Sequence, residues 1–220
     1  PTAQIMSDLF SNLQHHSPDS PQILAPGLTL IKGLAAKFRL MQHIQHITKK
    51  APFRHMMTPM GHPTKVAMSN CGPLGWVSSQ QGYGYSAFDP LSSSSWPAMP
   101  TDFKSLAHEA ASIAGIQDFQ TDSCLINQYH IGDSLGRHQD KDEANFNWPI
   151  VSVSLGLDAV FQIFSKQGSA KPHNILLQDG DVLVMHGPAR LYFHGIKVIK
   201  ADALQPNLQH RYNLTFRRAH

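Results

Sequence analysis

Residues 136–143, GRHQDKDE, run almost directly into PIVSVSLGLDAVFQIF at 149–164, and the fold of this chain turns on how that junction is read. The second segment is apolar and β-branched, with the composition of a sheet strand, a turn and a second strand. In a strand, positions i and i+2 point to the same face, so His138 and Asp140 would aim an imidazole and a carboxylate at one spot. An isolated H-x-D is commonly a surface ion pair of little energetic weight. It gains meaning when a third ligand reaches the same spot from a distant strand.

Working outward, strand-like runs follow one another at 123–130, 136–141, 149–156, 159–164, 174–178, 181–186, 191–199 and 210–218, separated by GDSLG, DGD and GPA. Many short strands with no intervening helix argue for an antiparallel sandwich or jelly roll. Upstream, KGLAAKFRLMQHIQHITKKAP carries Leu34, Phe38, Met41, Ile44 and Ile47 near helical spacing and stops before Pro52, which predicts a helix over about 34–49. A second helix lies in TDFKSLAHEAASIAG, with Thr101 or Asp102 as its cap and Gly115 as its stop. The first 22 residues, with HHSPDSPQ, read as a loosely held tail, and the SSSS of 92–95 as a flexible connection. Between 53 and 100, Trp76, Tyr83, Tyr85 and Phe88 lie among glycines. They form either a small apolar cluster under loops or flat surfaces on which a ring stacks.

The chain has 220 residues, 41% of them hydrophobic, enough for a sizeable core. A net charge of +3 is compatible with a polyanionic partner without requiring one. Its two cysteines, Cys71 and Cys124, have no close spacing, which argues against a disulfide framework or zinc cluster and for a reducing compartment. No window approaches the ~18 apolar residues of a membrane span, and the first residues lack the order of a signal peptide. A cytoplasmic monomer with no membrane association is the expectation.

Candidates for a third ligand are His173, His186, His194 and His210. His194, in RLYFHGI, sits in an apolar strand where a histidine needs a buried partner, whereas His186 ends the preceding strand at a Gly-Pro turn and is expected to be exposed. Two histidines and one carboxylate on one face are the arrangement of a non-haem Fe(II) site with open positions. In the last strand, HRYNLTFRR, residues Arg211, Asn213, Thr215 and Arg217 face one way and Tyr212, Leu214 and Phe216 the other. If the polar side looks inward, two buried arginines require anionic partners. Their Cα atoms would stand about 20 Å apart, so their guanidinium groups can close on the two ends of a short dicarboxylate beside the metal. That combination points to 2-oxoglutarate.

Several blocks, LINQYHIGDSLGRHQDKDE, PIVSVSLGLDAVFQIF, DGDVLVMHGPARLYFHGI and RYNLTFR, closely resemble the AlkB family of Fe(II)/2-oxoglutarate-dependent dioxygenases, in particular its bacterial DNA-repair branch. The likeness extends upstream through PFRHMMTPMG, VAMSNCGPLGW, QGYGYSAFDP and WPAMP, covering about 50–218. It implies a mainly β, α+β fold: a double-stranded β-helix (jelly roll) core with flanking helices and an N-terminal lid subdomain. The division would be a flexible tail at 1–19, an extension with helix and nucleotide-recognition lid at 20–96, and the dioxygenase core at 97–220.

The resemblance further implies Fe(II) on His138, Asp140 and His194, and 2-oxoglutarate on Arg211 and Arg217 with Asn127, Tyr129 and Asn213, with O2 as co-substrate. Trp76, Tyr83 and Tyr85 would belong to the lid, and Asp142 would read the alkylated base. The implied activity is oxidative demethylation of DNA bases such as 1-methyladenine and 3-methylcytosine, on single strands by preference, with methylated RNA as the alternative substrate. Two departures stand out. SKQGSAKPH at 165–173 carries Gly168 where the family has an arginine on a substrate-touching loop, leaving Lys166, Lys171 and His173 as its basic residues. His186 stands where the family has glycine.

Overall fold

The computed structural model describes residues 21–164 and 171–220. The tail at 1–19, Lys166 and Gly168 therefore lie outside the described residues. Thirteen strands are present among them: β1 (Gln22–Ala25), β2 (Leu28–Ile31), β3 (Ala67–Cys71), β4 (Gly75–Ser79), β5 (Gly82–Ser86), β6 (Ser123–His130), β7 (Leu135–His138), β8 (Ile150–Gly156), β9 (Ala159–Ile163), β10 (His173–Leu177), β11 (Val182–Met185), β12 (His194–Ile196) and β13 (His210–Arg217). They form a seven-stranded sheet in the order β1-β2-β11-β8-β13-β6-β3, a four-stranded sheet β10-β9-β12-β7, and the separate hairpin β4-β5, all pairs antiparallel. Two antiparallel sheets of this kind are the jelly roll that the spacing of short strands predicts. The early strands β1, β2 and β3 belong to the large sheet, and only β4-β5 stands as a sheet of its own.

Strand alternation sorts the core into two layers. From β11, Val182 and Val184 pack with the helices, while Leu183 and Met185 pack between the sheets. From β13, Leu214 and Phe216 join the helix layer. The helices are α1 (Leu40–Lys50), which buries Leu40, Ile44 and Ile47, and α2 (Thr101–Ile113), which buries Phe103, Leu106, Ala107, Ala110 and Ala111. Burial on one face at i, i+3, i+4 and i+7 is what holds such helices in place. Among the described residues, no helix is long and apolar enough to cross a membrane.

Local expectations differ from the structure in six places. The helix over 34–49 is divided: Leu34–Lys37 is a short 3-10 turn, Phe38 is extended, and α1 starts at Leu40. The turn has long-range anchors of its own, with the Ala35 N–H donating to Gly180 O (2.9 Å), the Gly33 N–H to Asp181 Oδ1 (3.1 Å), and Lys32 paired with Asp181. Helix α2 begins after Pro100, so Thr101 and Asp102 are its first turn and not its cap; Asp102 accepts from His43 Nε2 at 3.0 Å instead. The SSSS stretch is folded round Asp89, which takes the Leu91 N–H on its side chain and exchanges backbone bonds with Ser93 and Ser94. Strand β7 ends at His138 and does not reach 141, and β12 covers only 194–196 because a turn at Arg190 and Leu191 and two irregular residues, Tyr192 and Phe193, precede it. His186 is half-buried, with its pKa pushed down by burial, and its extended backbone (φ −149°) needs no glycine.

Candidate metal centre and substrate cleft

β7 and β12 pair with His194 opposite His138, but Ile196 opposite Leu135, so β7 carries one extra residue. A bulge of this kind re-aims side chains locally, and here Leu135 and His138 both line the cleft. The strands approach closely because residue 195 is glycine: a Cβ there would sit 2.7 Å from Leu135 O. Asp140 lies two residues past the end of β7, so it converges with His138 through the chain's exit from the strand and not through a shared strand face.

The result is one cluster. A ligand atom from each of His138, Asp140 and His194 lies within 4.8 Å of the others. His138 Nε2 is 3.7 Å from Asp140 Oδ1, and His194 Nε2 is 3.8 Å from Asp140 Oδ2. His138 Nδ1 donates to Gly136 O (2.9 Å) and His194 Nδ1 to Tyr192 O (3.1 Å). A carbonyl acceptor demands the proton at Nδ1, which leaves both Nε2 lone pairs facing the centre. Burial, with His138 next to it, pushes the His194 pKa down to about 4, so the ring is neutral and ready to ligate at neutral pH. Burial alone would raise the Asp140 carboxyl, but Arg217, His194 and His138 together hold it well below the usual carboxylate range. Two imidazoles and an ionised carboxylate at this spacing suit a divalent metal.

Behind the cluster stands a network of charges that sequence reasoning did not assign. Arg217 Nη2 pairs with Asp140 Oδ2 at 2.9 Å. Its Nε lies 3.3 Å from Glu143 Oε1, close enough to pair electrostatically but misaligned for a hydrogen bond. Glu143 pairs with Arg190 (2.8 Å) and accepts the Tyr85 hydroxyl (2.5 Å), while Arg190 Nη1 donates to the Asp140 carbonyl (2.7 Å). Gln139 Nε2 in turn donates to Leu191 O (2.6 Å). These two links tie the segment carrying Asp140 to the segment entering His194. The third acid of DKDE and the arginine after GPA were the only signals in the sequence.

Arg211 is different. It is 1% exposed, its Nη2 donates to Ser154 Oγ (3.1 Å), and its guanidinium lies 4.9 Å from the Tyr129 ring centre. Its Nε and Nη1 have no partner, and among the described residues no carboxylate pairs with it. Buried charges are ordinarily paired, so a cation left with two free donors in a cleft is built for an anion that arrives from outside. Asn127 Oδ1 beside it is likewise buried without a partner, and Asn127 Nδ2 and Thr215 Oγ1 both donate to Asn213 Oδ1. The donor set therefore fits a carboxylate-bearing co-substrate next to the metal ligands.

The three ligand candidates line one open cleft of about 620 Å³ together with Asn127, Tyr129, Arg211, Asn213 and Arg217, while Ser154, Glu143, Arg190 and Tyr85 stand outside its lining. At its mouth Trp76 and Tyr83 stack on each other, 5.5 Å between ring centres and 16° between planes. Asn70 holds the backbone of Trp76 with a pair of 3.0 Å bonds, and the indole N–H donates to Asp142 Oδ2 at 2.7 Å. Tyr85 does not join this mouth. It faces inward to Glu143, with its hydroxyl 3.5 Å from Arg217 Nη1, and burial pushes its pKa up.

The model of the 2OG-Fe(II) oxygenase superfamily matches residues 27–217. The chain is 44% identical over 216 residues to the alpha-ketoglutarate-dependent dioxygenase AlkB of Escherichia coli (strain K12), an alignment that spans 97% of this chain and 98% of that protein. It is 30% identical over 150 residues to the tRNA demethylase abh1 of Schizosaccharomyces pombe, covering 66% of this chain and 47% of that one. The solved structure of OsALKBH1 superposes with a TM-score of 0.77 at 27% identity, over 90% of this chain and 99% of that one.

Proposed function

Because the chain belongs to the 2OG-Fe(II) oxygenase superfamily and, within it, to the AlkB family, we propose that this Fe(II)/2-oxoglutarate-dependent dioxygenase removes alkyl groups from DNA bases such as 1-methyladenine and 3-methylcytosine. The observation that carries the reading is the unpaired, buried Arg211 beside the His138–Asp140–His194 cluster, under a mouth built from stacked aromatics. Iron with 2-oxoglutarate and O2 supplies hydroxylation of the alkyl C–H bond, giving succinate and CO2, and the hydroxylated group leaves the base as formaldehyde.

The chain's own residues supply the rest. His138, Asp140 and His194 would hold the iron from the protein side and leave the cleft side for co-substrate. Arg211 would clamp one carboxylate of 2-oxoglutarate as a planar fork, with Tyr129 and Asn127 against it and Asn213 shaping the floor. Arg217 would hold the other carboxylate through Nη1, whose one hydrogen bond, to the Tyr85 hydroxyl, is long at 3.5 Å, while Nη2 keeps Asp140 ionised and oriented. The site acts by placement: the C–H bond must meet the metal face and other solutes must be kept out.

The alkylated atoms lie on the pairing edge, so the base must leave the stack to be reached, at a cost of a few kcal/mol that is smallest for a lesion that cannot pair. Stacking on Trp76 and Tyr83 would return about 1–3 kcal/mol per base. A carboxylate at Asp142 favours a cationic base next to those rings. This cost argues for single strands over duplex.

Formaldehyde release tests the proposal on 1-methyladenine oligonucleotides, single-stranded and duplex, beside a methylated RNA and an unmethylated control. Release from methylated DNA above the control is expected. Release from RNA alone would move the substrate to RNA, the choice that the likeness to a tRNA demethylase keeps in play.

A further inference from the structure

Arg137 lies one residue before His138, on the exposed side of the β7 bulge. Its guanidinium is held between two aromatic rings, 4.5 Å from the centre of Phe193 and 4.7 Å from that of Phe164. Phe193 and Phe164 are themselves joined, the Phe164 N–H donating to Phe193 O at 2.8 Å. Among the described residues Arg137 has neither a hydrogen-bond acceptor nor a carboxylate partner. Two rings thus fix the direction of a planar cation while its donors stay unclaimed. An exposed arginine that served only as a surface charge would keep its rotamer freedom.

Position gives the fork an object. Arg137 is not itself a lining residue, but its chain neighbours Gly136 and His138 and the ring it contacts, Phe193, all line the cleft, together with Lys65 and Lys141. A base drawn into the cleft leaves the phosphates on either side of it at the rim. A guanidinium whose plane is already set matches two phosphate oxygens at once and loses little entropy in doing so.

We propose that Arg137, seated between Phe164 and Phe193, is a binding residue for a backbone phosphate of the DNA strand that carries the lesion. The assignment rests on the functional reading above and adds a contact outside the metal and co-substrate pocket. It gives the protein a grip on the strand that is independent of base identity, since phosphate contacts position without specifying.

The test is fluorescence anisotropy of a labelled single-stranded DNA oligonucleotide across a salt series, on full-length wild type and on Arg137→Gln and Arg137→Lys, with the melting temperature of each. Arg137→Gln is expected to weaken binding about three- to tenfold at low salt and to lower the slope of log affinity against log salt by about 0.7, the share of one phosphate on a single strand. Arg137→Lys is expected to recover the slope and only part of the affinity, since it returns the charge without the fork. Equal affinity and slope for Arg137→Gln and wild type would overturn the assignment. So would a change confined to melting temperature, which marks a structural staple, or an effect present on RNA of the same sequence and absent on DNA. A wild type that binds the oligonucleotide but releases no formaldehyde from its methylated form refutes the functional reading and leaves the Arg137 result standing.

Discussion

Arg211 and Arg217 stand six residues apart on the same face of β13, both buried, yet opposite consequences are expected when each is replaced by methionine. Arg217 is surrounded by anions, with Asp140 at 2.9 Å and Glu143 at 3.3 Å. Removing it leaves buried carboxylates uncompensated, a loss of about 3–5 kcal/mol. In a protein of this size that lowers the melting temperature by roughly 6–20 °C. Arg211 has no carboxylate partner among the described residues, and the Ser154 hydroxyl and Tyr129, through its ring and its hydroxyl, are what offset its burial. Those contribute about 1.5–3 kcal/mol for a hydrogen bond to a charged group and about 1–2 kcal/mol for a desolvated cation over a ring. Against them stands the effective desolvation cost of one ion, several kcal/mol. The balance is near zero, so Arg211→Met should leave the co-substrate-free protein as stable as wild type or up to about 2 kcal/mol more stable.

The same variant should lose the co-substrate. At a hundred times its dissociation constant a ligand stabilises the folded state by about 2.7 kcal/mol, a rise of roughly 5–10 °C here. Differential scanning fluorimetry of metal-loaded, anaerobic protein should show that rise with 2-oxoglutarate for wild type and none for Arg211→Met. If Arg211→Met melts as far below wild type as Arg217→Met does, Arg211 is a structural cation and the argument from its unclaimed donors is wrong. Retention of 2-oxoglutarate affinity within threefold would refute it equally.

His138→Ala and Asp140→Ala should each abolish iron-dependent turnover while the protein stays folded by circular dichroism; activity retained in either removes that ligand. Asp142→Ala should slow turnover of cationic lesions such as 1-methyladenine more than that of neutral ones, and equal loss on both would dismiss its charge as the cause. His194 has an unfolded-state pKa near 6.5 and a folded one pushed down to about 4. The unfolded chain therefore takes up the proton first as pH falls, and the metal-free protein should lose on the order of 2–3 kcal/mol between pH 6.5 and 4. Replacement by Gln should flatten that part of the melting-temperature profile, and an unchanged profile would locate the pH dependence elsewhere.

What the sequence disclosed and what it withheld divide along the range of the interactions involved. The polar face of β13 was legible because alternation is a local property with period two, and the structure turns Arg211, Asn213, Thr215 and Arg217 into the cleft as that period requires. The convergence of His138 and Asp140 was expected for a partly mistaken reason. It depends on a bulge against β12 and on cross-ties from Gln139 and Arg190, and register with a strand some 56 residues away leaves no mark in the local pattern. Glu143 looked like one more solvated acid in DKDE, and Tyr85 like one more ring of the lid. Each is defined by the other and by Arg217, a relation across nearly the whole chain that only folding reveals.

The buried charges carry one more consequence. Asp140 and Glu143 supply two negative charges to the buried cluster around the metal ligands, and Arg190, Arg211 and Arg217 three positive ones, so these five side chains sum to one net positive charge. A divalent cation alone would raise that to three, and a keto-diacid alone would turn it to one negative. Bound together they leave it unchanged. In a site of low effective dielectric such imbalances are costly, so each should bind more tightly in the presence of the other, and by the same factor, because coupling between two sites is reciprocal. With Mn(II) as the probe under anaerobic conditions, calorimetry should show its affinity rising about tenfold or more at saturating 2-oxoglutarate, a coupling of at least 1.4 kcal/mol. Arg211→Met, which makes the pocket neutral, should weaken the diacid and let Mn(II) alone bind better than it does to wild type. Mn(II) affinity indifferent to both changes would mean that water, and not these five side chains, sets the electrostatics of the pocket.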